Sequence, residues 1–536
     1  MRTAEPQLEL DPAADPLDPD ESKQLSRLRR WGTAGALLMM IGSTSSYGAA
    51  SPIPNPFDGI RILGLMSRIS SGALAVSYTG MGLLVMCWLL IGRLARPGRV
   101  RRLSRSQLSH TLAMWTVPFL VTPPIFSRDV YSYLAVGSMS VHGFNPYDAG
   151  PYDTLGDSDV FSHQVDARWQ HTPTPYGPAF LMISKAIVAV TGQHLVLAVL
   201  VQRLVQLVGI AAIIWALPRL ARVCGIDPVT ALWLGALNPL VLFHLIAGGH
   251  NEALMLGAML AGLAIALDRS WVIGVAIITL AVAIKATAAM ALPFLVIALA
   301  LRRSTSWRDL LRRAVPVAAV AVVVFGILSW AAGDGFGWLA GLGAPGMVRS
   351  FLSVSTSLGI GAGQLGLLLG LGDHSDAAIS VMRPLGTVAG ALLAVGVMWL
   401  SWRRRVEPVA GLGLAFGAFV LLGPVIQPWY LLWAVLPLAA STANSRFRTG
   451  AVWFTAAYSL IIMPNGATIP PFTIIQAVAT AGIVAGVVLF LLWRHGLPVA
   501  DPVTAALSRS WPGPDRTYPR VARATRQHGK SSEEHR

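Results

Sequence analysis

Residues 231–301 read ALWLGALNPLVLFHLIAGGHNEALMLGAMLAGLAIALDRSWVIGVAIITLAVAIKATAAMALPFLVIALAL. Four apolar runs, near 229–247, 252–268, 270–284 and 286–301, follow one another with only a few polar residues between or within them. Backbone that faces lipid must satisfy its own hydrogen bonds, so these runs are expected to be helices. The pattern continues in both directions. Further apolar segments lie near 31–50, 72–92, 109–125, 195–216, 314–331, 379–402, 409–426, 429–442, 450–463 and 473–493. Several are shorter than the ~20 residues that cross a bilayer, which sets the expectation at about 12–14 transmembrane helices. The expected fold class is an all-α polytopic membrane protein.

Composition agrees. Hydrophobic residues form 54% of the 536 residues, charged residues only 12%, and the mean hydropathy is +0.59. A soluble chain has roughly 25% charged residues, and 12% would not cover the surface of one this long. The formal charge of +15 suggests a nucleic-acid partner until the charges are located. Lysine is confined to Lys23, Lys185, Lys285 and Lys530, and the arginines gather at the tails and in short loops between apolar runs. That is how membrane proteins mark their cytoplasmic side. No nucleic-acid partner is expected. Cys87 and Cys224 sit in or beside apolar runs and imply neither a disulfide framework nor a zinc site.

Arginine placement also orients the chain. Arg27, Arg29 and Arg30 precede the first run, and Arg93 to Arg105 follow the second. Arg219, Arg302, Arg312, Arg403 and Arg446, with their neighbours, mark later inner loops. These agree on one side only if the segment near 178–192 is interfacial or re-entrant. Both termini are then cytoplasmic. The chain divides into a disordered cytoplasmic tail (1–28), a transmembrane hairpin with a basic cytoplasmic loop (29–108), a transmembrane body (109–498) and a disordered basic cytoplasmic tail (499–536).

Polar residues collect on the outer side, in loops 126–176 and 332–378 and in short turns. Loops carry function when a rigid scaffold positions them. Ser127-Arg128-Asp129 follows the third run and sets a carboxylate at the membrane surface, beside a cation. A helix cap with a snorkelling arginine explains the same residues. Asn145, in GFNPYDAGP, and Tyr176, in TPTPYGP, belong to proline turns; turn geometry explains both, and Tyr176 is also placed to stack on a sugar ring. His250, Asn251 and Glu252 are costly at a membrane face unless hydrogen-bonded or used. Lys285 interrupts a run that is long for one span and short for two, so it belongs at a bend, where an ammonium meets phosphate. Arg349, in the second outer loop, suits phosphate oxygens equally. Gln427, Trp429 and Tyr430 fit either a binding wall or an aromatic belt. The GxGxxG at 361–366 follows no strand and is no dinucleotide site.

Taken in order, SRDVYSYLAVG, GFNPYDAGP, TPTPYGPAFL, ALWLGALNPLVLFHLIAGGHNEALMLG, IKATAAMALPF, GDGFGWLAGLGAPGMVRSF and QPWYLLWAVLP resemble the actinobacterial polyprenol-phosphate-mannose-dependent α-(1→6)-mannosyltransferases of the MptA/MptB type. The similarity runs from about 30 to 495, and FGWLAGLGAPGMVRS looks closer to the MptB side. The resemblance implies a GT-C-like helical bundle with a large first functional extracytoplasmic loop. It implies mannose transfer from a polyprenyl-phosphate-mannose donor to a mannosylated phosphatidylinositol or mannan acceptor, building the α-(1→6)-mannan core of lipomannan and lipoarabinomannan at the plasma membrane. It places the catalytic base at Asp129. Arg128, Lys285 and Arg349 are then candidates for the donor phosphate. His250, Asn251, Glu252, Tyr176, Asn145, Gln427, Trp429 and Tyr430 are candidates for substrate binding. No cofactor is assigned, and a divalent metal is compatible with the pattern. A lipid-linked sugar transporter or flippase is the alternative, but it calls for charge near the membrane midplane and repeat symmetry. A membrane scaffold is a third reading.

Overall fold

The computed structural model describes residues 15–341, 343, 350, 352–466 and the single positions 479, 482, 486 and 490. Arg349, the apolar run near 473–493 as a continuous segment, and the tail 499–536 lie outside the described residues. Among the described residues every regular element is helical. The helices used below are α1 (Pro19–Gly42), α2 (Ser70–Leu94), α3 (Arg105–Thr116), α4 (Asp129–Val141), α5 (Pro178–Thr191), α6 (Leu195–Val223), α7 (Pro228–Leu234), α8 (Glu252–Asp268) and α9 (Trp271–Ile284). They continue with α10 (Ala291–Leu301), α11 (Trp307–Ala332), α12 (Val354–Leu368), α13 (Ser375–Trp402), α14 (Pro408–Leu422), α15 (Leu431–Ser441) and α16 (Ser445–Ile461). The chain is an all-α polytopic membrane protein.

Among the described residues four helices, α2, α6, α11 and α13, are long and apolar enough to cross a membrane unaided. The π-helix Val241–Ala247 and α8, bent by 111° at their junction, count as a fifth if read as one broken span. Other apolar segments form helices of 10–17 residues. They break at Lys285 and in the 423–430 segment. Broken backbone inside a membrane is tolerated only where protein buries it or where it lines a cavity. Both breaks border the cavity described below.

Two segments differ from the sequence reading. Helix α1 begins at Pro19, inside the stretch read as a tail ending at 28. Asp18 caps it: its carboxylate accepts from the Glu21 amide at 2.8 Å, and Glu21 returns a bond to the Asp18 amide at 3.3 Å. That capping box, with proline at the first helical position, is a helix start, and Leu25 and Leu28 are buried by it. The glycine-rich stretch 332–378, read from the sequence as a loop, contains the helix α12. Its glycines admit α13 at close range, for a Cβ at Gly359 would lie 2.7 Å from Ile379 Cα. The GxGxxG at 361–366 is thus helical. The segment near 178–192 is the 14-residue α5.

The core joins the first hairpin to the rest of the body. Trp88 and Trp233 stack with centroids 5.1 Å apart, and each indole N–H donates to the other's carbonyl at 3.1 and 2.9 Å. Buried indoles need such partners.

Candidate active site

Asp129 opens α4 directly after an unusual backbone step. Phe126 has φ +73°, and its amide donates to the Pro464 carbonyl at 2.6 Å. A bulky residue in the left-handed region is strained, and such strain persists only where its surroundings impose it. Packing of the Phe126 ring on Phe243 and His244 supplies that constraint. The chain then turns so that Asp129 enters the wall of a cavity of about 600 Å³.

One carboxylate oxygen of Asp129 lies 3.4 Å from Nδ1 of His250, and the Asp129 side chain remains 22% exposed, so it is also accessible from the cavity. His250 is fully buried, with its ring stacked on Trp429 at 3.8 Å between centroids. The same Nδ1 is 3.4 Å from the Tyr133 hydroxyl and 4.0 Å from Glu252 Oε2. Glu252 is fully buried and accepts from the Lys285 ammonium through Oε1. Lys285 sits at the break between α9 and the 3₁₀ turn Ala286–Met290, in extended conformation (φ −150°, ψ 120°). Its ammonium lies 5.1 Å from the Tyr430 ring centroid and 5.5 Å from that of Trp433. A desolvated cation over aromatic faces is held by their quadrupoles. Acid, imidazole, acid and ammonium thus form one chain.

Burial by itself pushes the Asp129 carboxyl up. The hydrogen bond and charge of His250, with Ser127 and the Lys285 ammonium, outweigh it and hold the carboxyl below the usual carboxylate range.

Tyr176 lines the same cavity, edge-on to Tyr133 at 5.2 Å. The Gly177 amide donates to the Ile284 carbonyl at 3.1 Å, next to Lys285. A Cβ at Gly177 would lie 2.3 Å from the Ala283 carbonyl oxygen. Gly177→Val is therefore expected to cost about 1–3 kcal/mol and to displace Tyr176 and Lys285 together. A lowered Tm in detergent, with activity falling further than the stability loss explains, is the expected result.

Gln427, Trp429 and Tyr430 also line the cavity. Arg128 reaches it, but its guanidinium donates to the Gln164 and Ser51 carbonyls at 2.8 and 2.9 Å and to Gln164 Oε1 at 3.0 Å. It ties the 126–176 loop to the segment after α1. Asn145 stands apart: its side chain accepts from the Tyr147 amide at 3.1 Å within a turn, and it does not line the cavity. Asn251 occupies the N-cap of α8, yet its buried amide makes no capping bond and has no hydrogen-bond partner.

Three residues escaped the sequence reading. Tyr133 lies one turn beyond Asp129, on the same helix face, and the spacing in Asp129-Val130-Tyr131-Ser132-Tyr133 was the available signal. Arg168 lines the cavity and is paired with Asp166 at 2.8 Å. Arg203 is 2% exposed on α6 and bonds only to carbonyls. Among the described residues no group of three or more His, Cys, Asp or Glu is arranged to hold a metal ion.

With this geometry in hand, comparison with known proteins is specific. The family described as "Alpha-(1->6)-mannopyranosyltransferase, N-terminal domain" matches residues 29–301, and "MptB C-terminal domain" matches 355–490. A probable α-(1→6)-mannopyranosyltransferase of Mycolicibacterium smegmatis is 41% identical over 90% of this chain and 91% of its own. An α-(1→6)-mannopyranosyltransferase of Mycobacterium tuberculosis is 39% identical over 92% and 93%. α-(1→6)-Mannopyranosyltransferase B of Corynebacterium glutamicum is 33% identical over 90% and 84%. No solved structure matches the chain. The chain belongs to the MptA/MptB family of α-(1→6)-mannopyranosyltransferases.

Proposed function

We propose that this protein transfers mannose from polyprenyl-phosphate-mannose to a growing α-(1→6)-mannan core, on the extracytoplasmic face of the plasma membrane, with inversion at the sugar carbon. The observation that carries the reading is the meeting of Asp129 and Lys285 on the wall of one cavity, with aromatic surfaces from Tyr176, Trp429 and Tyr430 around them. The donor is β-linked and the product α-linked, so a single displacement suffices. It needs one base for the acceptor hydroxyl and one cation for the departing phosphate. Asp129 supplies the base. Lys285 is the cation, and Arg168 adds a second positive group on the same wall. The aromatic surfaces suit the apolar faces of sugar rings. Asn251 is fully buried and does not line the cavity, so no substrate contact is assigned to it.

The test uses membranes that contain the chain, labelled polyprenyl-phosphate-mannose and a short α-mannoside acceptor. Labelled mannose is expected in an α-(1→6) linkage, also in detergent with no gradient. Movement of labelled lipid across a bilayer without glycosidic bond formation sinks this reading and favours a flippase. The pH dependence has a defined sign. A base held below the usual carboxylate range is ionised at neutral pH, so kcat/KM for the donor is flat through neutrality. It falls only as pH drops through the lowered value. The same ionisation favours the fold above the unfolded pKa, and that contribution is lost over the same acid range.

A further inference from the structure

We propose that the Lys285–Glu252–His250–Asp129 chain senses the donor: arrival of the donor phosphate at Lys285 transfers the His250 N–H from Asp129 to Glu252 and so frees the base. This rests on the function proposed above. The argument starts from a shortage of donors. Glu252 is fully buried and has one hydrogen-bonded oxygen, Oε1, on Lys285; Oε2 has no hydrogen-bond partner and lies 4.0 Å from His250 Nδ1. Asp129 Oδ2 lies 3.4 Å from that same nitrogen. Nδ1 carries at most one proton, so it serves one carboxylate at a time. While Lys285 holds Glu252, Nδ1 stands nearer to Asp129 than to Glu252, at 3.4 Å against 4.0 Å.

A phosphate at Lys285 changes the balance. It draws the ammonium off Glu252 and leaves a buried carboxylate without its cation, which is a strongly unfavourable state. His250 already stands 4.0 Å from the unpartnered oxygen, Oε2. Its ring slides little, because Trp429 fixes the plane at a 3.8 Å stack, and the bond tips from Asp129 toward Glu252. Asp129 then loses a hydrogen bond and a nearby cation at the moment the sugar is in place, and becomes the stronger base. In the transfer itself the acceptor oxygen bonds to the sugar carbon as the carbon–oxygen bond to phosphate breaks. The bonding pair leaves with the phosphate, and the hydroxyl proton ends on Asp129. Without donor, the acceptor meets a base that is held weak.

The other groups around the chain are fixed in role. Tyr133 from α4 faces His250 Nδ1 at 3.4 Å, and His244 from the π-helix lies 6.2 Å away, ring to ring. Tyr430 lies beneath Lys285, while Tyr176 and the Arg168–Asp166 pair face Asp129 from the outer loop. None of them is hydrogen-bonded to Glu252 Oε2.

The experiment compares the acid limb of kcat, which reports the donor complex, with that of kcat/KM, which reports the donor-free enzyme. The acceptor is a saturating mannoside. In the wild type the kcat limb is expected about one pH unit or more above the kcat/KM limb, the scale of losing a neighbouring charge. Glu252→Gln removes the competing acid: the two limbs merge near the lower position, and polyprenyl phosphate binds about tenfold tighter, because Lys285 is no longer held (tenfold being a 1.4 kcal/mol change). Lys285→Gln leaves Glu252 permanently in need of His250: the limbs merge near the upper position and polyprenyl phosphate binds more weakly. Coincident limbs in the wild type overturn the switch, as does a separation that survives in either variant. That result is distinct from failure of the function itself, which is absence of mannosyl transfer by the wild type. Should one variant not fold, the wild-type profile and the other variant still decide.

Discussion

Replacing Asp129 with Asn is expected to lower mannosyl transfer by about 10²–10⁴-fold, the range for loss of a general base, while the protein still inserts and folds. The substitution is nearly isosteric. The amide side chain of the Asp129→Asn variant keeps an oxygen that accepts from His250, so the geometry at Nδ1 survives. What goes is the negative charge and the capacity to take a proton. The structural cost is small by comparison. Asp129 lies in the first turn of α4, where a negative charge favours the helix by about 0.3–1 kcal/mol. A change of that size in stability does not produce a thousandfold loss of rate. The measurement is initial rate with labelled donor, alongside Tm in detergent and binding of polyprenyl phosphate. Retained Tm and retained binding with lost transfer is the expected pattern. A variant that still transfers at wild-type rate would remove Asp129 from the chemistry. Asp129→Glu separates charge from position: the charge is kept, but the longer side chain moves the carboxylate toward His250 or into the cavity, and partial activity is expected.

Much of the site was legible because membrane sequences advertise cost. Asp129, Lys285, His250-Asn251-Glu252 and Gln427-Pro428-Trp429-Tyr430 each interrupt or border an apolar run, where a polar residue is expensive unless it is paired or used. All of these line the cavity or adjoin the residues that do. The helical fold class was legible for the same reason. Pairing was not. The Lys285–Glu252 contact joins positions 33 apart in the chain, and no local spacing announces it. Arg128 and Arg168 are indistinguishable as loop arginines; only the folded loop shows that carbonyls occupy the first and Asp166 the second. Asn145 read equally as a turn and as a ligand, and its Asx-type bond to Tyr147 shows a turn. Glycine content misled at 332–378, since in a membrane chain glycine also marks close helix packing, as α12 against α13 demonstrates.

Arg203→Ala is expected to cost roughly 3–5 kcal/mol of stability, the scale for removing one partner from a buried charged network, and to abolish activity with it. Arg203 projects from the middle of an apolar run on α6. Its guanidinium donates to four carbonyls: Ile246 at 3.2 Å, Leu120 at 2.9 Å, Thr122 at 2.7 Å and Ala247 at 3.0 Å. These carbonyls lie at and just past the end of the 3₁₀ turn Val117–Leu120 and at the end of the π-helix. Helix ends leave such acceptors unsatisfied, and a cation there also meets the negative end of the dipole. The two ends are the approaches to Asp129 and to His250. One arginine therefore fixes the relative position of Asp129 and the imidazole beside it. Truncation removes a donor from all four carbonyls in a low-dielectric interior, although Ala247 keeps the Ile125 amide at 3.4 Å, and each such loss is costly. Arg203→Lys retains the charge but concentrates it in a single ammonium with three donors, too few for four carbonyls spread along a planar fork. It is expected to recover part of the Tm and little of the rate, because the two helix ends are no longer held at a fixed separation. The decisive comparison is Tm and kcat for the wild type, Lys and Ala variants in the same detergent. If Arg203→Lys restores full activity, the charge alone matters and the fork does not position the site.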